Sequence, residues 1–441
     1  MPANRLPGSL RVLLAASFVS AIGGGLTLPF LVIYLHEVRH ISLGVSGLLI
    51  GGVAVLALPV APSAGALVDR LGARAVLLVV LFVEGLGIAS LATVHSALTA
   101  VPAMVVYGLG QGAAWPTWNA LLGVMVDDET ISRLAFARNF QLLNLGLGFG
   151  AIIGGLVVHV RDPGTFVAIY LVDGSSNLVV VAALALLPRV AFHPRQDVEK
   201  TGPSKEGSEH LVRDGERLTQ GYRAVLADSV FRRYALTMTI LMIAGYAAVN
   251  TGFVGFATSV AKAGPGTIAI SFAANTSFIV IAQPFALRLC GGMRRTTALK
   301  VVAAAFAASW VVLAIAGLVP GSSAARALVI ATPVVFAVGE VVLSPINGPL
   351  VNNLAPAALR GRYFAASAMC FTVAQIVSPA ISGAAIGAGL GTYLLVFFVA
   401  CCLAAAVGAH LLGNCLSGEQ DNVAGSRQRA ALGPPATENP A

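Results

Sequence analysis

The chain has 441 residues, 57% hydrophobic and only 10% charged, with a formal net charge of +8 and a mean hydropathy of +0.85. Soluble domains carry roughly 25% charged residues, so this chain cannot cover a water-facing surface, and lipid is its natural solvent. A membrane-crossing helix needs about 20 apolar residues. Runs of that length recur twelve times here, whereas barrel strands would be about ten residues long and alternating.

The first run, 12–35, is longer than the roughly 7–15 residues of a cleavable signal core and is expected to remain as a span. The second, 43–67, leads into a charged hairpin, Gly65-Ala66-Leu67-Val68-Asp69-Arg70-Leu71-Gly72-Ala73-Arg74. The third, 75–94, carries Glu84 deep in apolar sequence. A carboxylate at the bilayer centre costs about 2.5–3.5 kcal/mol on insertion scales. Loss of water disfavours the charged form, which suits a protonatable switch; the competing reading is a packing role, with the carboxyl satisfied by a neighbouring helix. In the fourth run, 99–125, Tyr107, Gln111, Trp115 and Trp118 repeat at helical spacing. Indole faces can bind flat rings or cations, or pack at an interface. The fifth, 140–160, holds Gly146, Gly150, Gly154 and Gly155, a spacing that lets helices approach closely. The sixth, 164–188, carries Asp173 beside Ser175, Ser176 and Asn177, as in a satisfied polar cluster.

Residues 189–232 are polar and of mixed charge, a solvated linker between an N-terminal bundle, 1–188, and a C-terminal bundle, 233–413. The stretch from Tyr222 to Tyr234 reads as a short amphipathic helix on the membrane surface. In the seventh run, 233–258, Tyr246, Asn250 and Phe253 form a weaker polar-aromatic face. The eighth and ninth are 266–288 and 299–319. The tenth, 325–351, contains Gly339-Glu340-Val341-Val342-Leu343-Ser344-Pro345, with Ser344 and Asn347 following Glu340 on one helical face. The last two are 363–387 and 391–413, and the tail 414–441 reads as disordered. No Lys or Arg lies as deep as Glu84, Asp173 and Glu340, so the interior favours protons or cationic solutes.

With both termini cytoplasmic, Arg39, Arg161, Lys262 and Arg326 are the only outward-facing members of 27 basic residues, the asymmetry that orients membrane proteins. The basic balance is then a topology signal, and no nucleic-acid partner is expected. Cys290, Cys370, Cys401, Cys402 and Cys415 show neither metal-type spacing nor an extracellular pairing pattern. There is no phosphate-binding loop, zinc-protease helix or serine elbow, so neither an enzyme nor a cofactor is expected. Weak internal similarity appears at an offset of 229 residues: Gly110 with Gly339, Gln111 opposite Glu340, Pro116 with Pro345, Arg133 with Arg362, and Gly154 with Gly383. Spans four and ten are therefore expected to be counterparts.

The hairpin resembles the G-x-x-x-D-R-x-G-R-R signature of major facilitator superfamily transporters, with Ala73 in place of one basic residue. Gly146 to Gly155 is similar to the family's antiporter motif, with Ala151 where the family has proline. Pro29 to Tyr34, and Gly339 to Tyr363 with its Leu354-Ala355-Pro356 and Arg360-Gly361-Arg362-Tyr363, resemble the 12-span drug:proton antiporter branch. The resemblance implies an all-α membrane protein of twelve helices in two pseudo-symmetric six-helix bundles, with spans four and ten lining a central cavity. It implies a conformational latch of Gly65, Asp69, Arg70, Gly72 and Arg74, together with Arg133 and Arg362. Asp69 would face a helix terminus of the other half, where the dipole favours negative charge, and would hold the outward-open state. Where that branch carries an arginine in span four, this chain has Tyr107 and Gly108, leaving an acid such as Glu340 to carry protons without that partner. The expectation is a monomeric secondary transporter of the plasma (bacterial inner) membrane, exporting amphiphilic, including cationic, drugs or natural products against inward proton flow. The alternative is a proton-coupled importer of a nutrient such as a small peptide or sugar. Peptide transporters share a Gly-Glu…Ser-Pro stretch in span ten, but their charged span-one cluster is missing, since Ala21 to Leu35 carries no charge.

Overall fold

The computed structural model describes residues 6–125, 129–187, 223–290, 292–356 and 359–422. Among them are 12 helices long and apolar enough to cross a membrane. We label them α1 (Gly8–Val38), α2 (Leu43–Leu71), α3 (Ala73–Thr93), α4 (Ala97–Val124), α5 (Glu129–Val157) and α6 (Pro163–Leu186) in the first half. The second half holds α7 (Ser229–Ser259), α8 (Pro265–Cys290), α9 (Arg295–Leu318), α10 (Ser323–Leu354), α11 (Arg360–Gly387) and α12 (Gly391–Gly413). The described residues form no sheet, only an isolated bridge of His159 with Asp162.

Helix boundaries follow local chemistry. Side-chain oxygens of Ser42, Ser96, Asp162, Asp228 and Ser322 accept from the first free N–H groups of α2, α4, α6, α7 and α10, replacing partners that lipid cannot supply. Between α2 and α3 a single residue, Gly72, turns the chain at φ +82°, a left-handed conformation that glycine adopts without steric cost. α1 and α7, the first helix of each half, share an irregularity: α1 narrows at Leu28–Phe30 and widens at Tyr34–Val38, and α7 widens at Val249–Phe253. These segments hold some of the most buried residues in the molecule, with Phe30, Tyr34, Leu35 and Phe253 at 0–1% exposure.

The packing repeats on adding six to each helix number. α1 packs on α5 and α6 as α7 packs on α11 and α12; α4 packs on α2 and α3 as α10 packs on α8 and α9; α3 packs on α6 as α9 packs on α12. The two seams between halves, α2 with α11 and α5 with α8, obey the same rule. Glycines mark equivalent places. Gly110 of α4 lies against the backbone of Glu84 in α3, and Gly339 of α10 lies against Phe306 of α9.

The seams are tight at the end away from the termini. A Cβ on Gly47 would meet the Pro379 carbonyl at 2.2 Å, one on Gly383 the Leu43 carbonyl at 2.2 Å, and one on Gly155 the Ala269 side chain at 2.0 Å. Toward the end bearing the termini, Gln111, Trp115, Phe140, Ser344, Phe364 and Phe371 are exposed. The molecule is closed at one end and open at the other.

Residues 189–222 of the expected linker lie outside the described set. Residues 223–227 are helical with Val225 buried, and Asp228 then breaks the chain and caps α7, so the expected helix over Tyr222 to Tyr234 is two helices. The tail departs from the sequence expectation in its first part. Arg294 donates to the Asp421 carboxylate at 2.8 Å, as does Thr296 N at 2.8 Å, and Gln420 donates to the Asn353 carbonyl at 3.2 Å. Residues 414–422 thus strap α9 to the end of α10, because a buried carboxylate meets two unpaired donors at a helix start. Residues 423–441 lie outside the described set.

Candidate functional site

A cavity of about 750 Å³ lies between the halves. α1, α2 and α4 wall one side, and α7 and α11 the other. Its polar groups are Tyr107 and Gln111 of α4, Asn250 and Thr251 of α7, and Thr372 and Gln375 of α11. Gln111 Nε2 donates to the Tyr107 hydroxyl at 2.8 Å, so the expected stripe is tied together at its first step. Trp115, 56% exposed, is on the cavity wall. Trp118 leaves the stripe: it is buried, and its indole N–H donates to Asn139 Oδ1 of α5 at 3.1 Å.

Glu340 is elsewhere. It lines a second cavity of about 340 Å³ with Tyr246, Ser344, Asn347 and Gln283, closed on one side by Phe140 and Asn144 of α5. Asn275 of α8 donates to Glu340 Oε2 at 2.7 Å and to the Pro333 carbonyl at 2.9 Å. The Tyr246 hydroxyl also reaches this carboxyl. Asn347 accepts from Tyr234 at 2.6 Å, and Ser367 meets the same hydroxyl at 2.7 Å. Gly339 lets α10 approach its neighbour closely: a Cβ there would meet the Phe306 ring at 2.5 Å, and Phe306 is stacked on Phe336 at 4.0 Å between centroids. α4 lines the larger space and α10 the second, so residues of the two counterpart spans lie along adjoining pockets. Phe371 lines both, and its ring is 6.0 Å from that of Tyr246.

Asp173 is 2% exposed. Its carboxylate accepts from Thr27 of α1, while Ser176 donates to its backbone carbonyl at 2.7 Å. Next to it, Ser20 donates to Asn177 at 2.6 Å. Glu84 lies within electrostatic reach of Asp173 and of Tyr107. Neither acid lines the large cavity, and Tyr107, which does, lies within electrostatic reach of both.

Sequence and structural relatives fit this geometry. The model of the Major Facilitator Superfamily matches residues 13–379. The chain belongs to that superfamily. Two Bacillus subtilis (strain 168) proteins are similar over most of their length. The uncharacterized MFS-type transporter YhjO is 23% identical over 91% of this chain and 92% of its own, and the uncharacterized MFS-type transporter YqjV is 23% identical over 84% and 85%. Among solved structures, the nucleoside transporter NupG superposes with a TM-score of 0.71 at 13% identity, covering 92% of this chain and 100% of its own. A POT peptide transporter bound to alafosfalin gives 0.71 at 15% identity, covering 95% and 96%. At these identities the likeness is one of fold.

In this superfamily member the signature hairpin sits at the open end. Arg74 donates to the Ala185 carbonyl of α6 at 3.1 Å, within its own half. Arg70 is exposed, and a side chain at Gly65 would meet open space. Arg362 is half-buried at the start of α11. The side chains of Asp69 and Arg133, expected latch members, lie outside the described set. The glycine motif of α5 serves two partners: Gly146, Gly150 and Gly154 press on α1 at Ala21, Ile22 and Leu26, and Gly155 presses on α8. Asn275, Thr251, Thr372 and Gln375 were missed from the sequence. The signal that marked Glu340, a polar group isolated in an apolar run, applied to them in weaker form, because a neutral amide or hydroxyl in a span is less exceptional than a carboxylate.

Proposed function

We propose that this transporter exports amphiphilic organic solutes across the plasma membrane in exchange for protons, with both termini in the cytoplasm and the cavity alternately open to either side. The observation that carries the reading is the 750 Å³ cavity built from both halves, sealed at one end by α2–α11 and α5–α8 contacts and open at the other. The distribution of basic residues supports a cytoplasmic position for the open end, where an exporter loads. The cavity wall is mainly aliphatic and aromatic with a few amides, which suits an amphiphile. Glu340, half-buried and held by Asn275, is the group we assign to proton exchange. The test is uptake into everted vesicles under an imposed pH gradient. Glu340→Gln is expected to abolish pH-driven transport; full retention would remove Glu340 from that role.

A second reading is proton-coupled import, the direction served if the fold likeness to peptide and nucleoside transporters extends to activity. The described cavity wall has no charged side chain to pair with a peptide's termini, which weighs against peptides. Direction of flux under the same gradient separates the two.

A further inference from the structure

We propose that the large cavity takes uncharged amphiphiles bearing amide or hydroxyl groups, and that Glu340 acts from its own pocket without touching the solute. This rests on the transporter reading only in taking the cavity as the solute's site. None of the described residues lining it is Asp, Glu, Lys, Arg or His. Its polar groups are Tyr107, Gln111, Asn250, Thr251, Thr372 and Gln375, which offer neutral donors and acceptors. The Thr251 hydroxyl is buried on this wall with no hydrogen-bond partner among the described groups, and an unmet buried hydroxyl favours a ligand that completes it. A cation entering here would shed water and meet no opposite charge, a heavy penalty. The ring faces of Trp115 and Phe371 return only a small part of it. Glu84 and Asp173 line neither pocket, and Glu340 lines the adjoining one, where Tyr246 and the shared Phe371 also lie and where it is already bonded to Asn275. Buried acids, read from the sequence as a preference for cationic solutes, therefore do not form part of the solute wall.

The experiment uses two forms of one coumarin, carrying either a primary amide or a trimethylammonium group, titrated against the purified full chain in nanodiscs and followed by quenching of Trp115 fluorescence. The amide form is expected to bind at least about tenfold tighter than the ammonium form. Gln375→Leu and Asn250→Leu should each weaken it about tenfold, the loss of one buried hydrogen bond. Glu340→Gln should change its affinity less than about twofold on that scale, even where pH-driven flux is lost. Phe371→Ala joins the two pockets, so the ammonium form should gain affinity in that variant, and lose the gain when Glu340→Gln is added. The proposal is overturned if the ammonium form binds the wild type as tightly as the amide, if Glu340→Gln removes amide binding while leaving thermal stability intact, or if neither form binds. Intact amide binding with no flux in either direction would overturn the export reading and leave this one standing.

Discussion

Asp421 and Asp173 are both nearly inaccessible carboxylates, at 1% and 2% exposure, and both are explained by their neighbours. Asp421 closes the start of α9 and pairs with Arg294. Asp421→Ala would leave those donors unmet and is expected to cost about 1–3 kcal/mol. Thermal unfolding read by a thiol-reactive dye reports it directly, because Cys290, Cys370 and Cys402 are buried in the folded protein; an unchanged midpoint would show that the strap contributes nothing. Asp173 accepts from Thr27 in a buried polar cluster. Asn can accept that same bond, so Asp173→Asn is expected to keep pH-driven flux, while Asp173→Ala lowers the unfolding midpoint. Loss of flux in a stable Asp173→Asn variant would instead assign this acid to proton transfer.

Helix pairs in lipid gain little from the hydrophobic effect and rely on close backbone approach. The α2–α11 seam shows this in Gly44, Gly47 and Gly51, which face Ala384, Pro379 and Ile376. Gly47→Ala places a methyl on the Pro379 carbonyl and is expected to destabilise this closed end by about 1–3 kcal/mol. Gly52 is the matched control. A Cβ there meets nothing within 4 Å, so Gly52→Ala should be neutral or gain up to about 1 kcal/mol of helix propensity. Equal melting behaviour of the two variants would refute the close-packing account of the seam. α10 is the element whose reading changed most. Its sequence pattern put Glu340 on a face with Ser344 and Asn347, and all three do line one pocket; the pocket is simply not the one that α4 lines.

At the scale of the whole molecule, the packing scheme that repeats after six helices makes α2–α11 and α5–α8 the most extensive seams between halves among the described residues, and both must part at one end when the cavity changes sides. A link across a seam should then stop transport. Leu43 and Gly387 are suited to it, since a Cβ on Gly387 would lie 3.6 Å from the Leu43 Cβ, within the Cβ separation of a disulfide. Oxidised Leu43→Cys/Gly387→Cys is expected to bind solute from the open end yet carry none across, with flux restored by reductant. Undiminished flux in the fully oxidised protein would show that this end does not open.

The amino-acid sequence alone determined the twelve spans, the six-and-six division and the superfamily, because lipid demands long uncharged runs and permits few turns, so each span and hairpin is written locally. It also marked Glu340, whose charge is conspicuous in an apolar run. Local spacing could not decide which marked residues share a space. Tyr107 and Gln111 face Asn250 and Gln375 across halves roughly 140–270 residues apart in the chain, and Trp118 turns from its stripe to Asn139. Whether Glu340 meets the solute depends on where the rings of Phe371 and Tyr246 fall between two helices, and that is set by packing around Phe306 and Phe336, by tertiary contacts rather than by any motif.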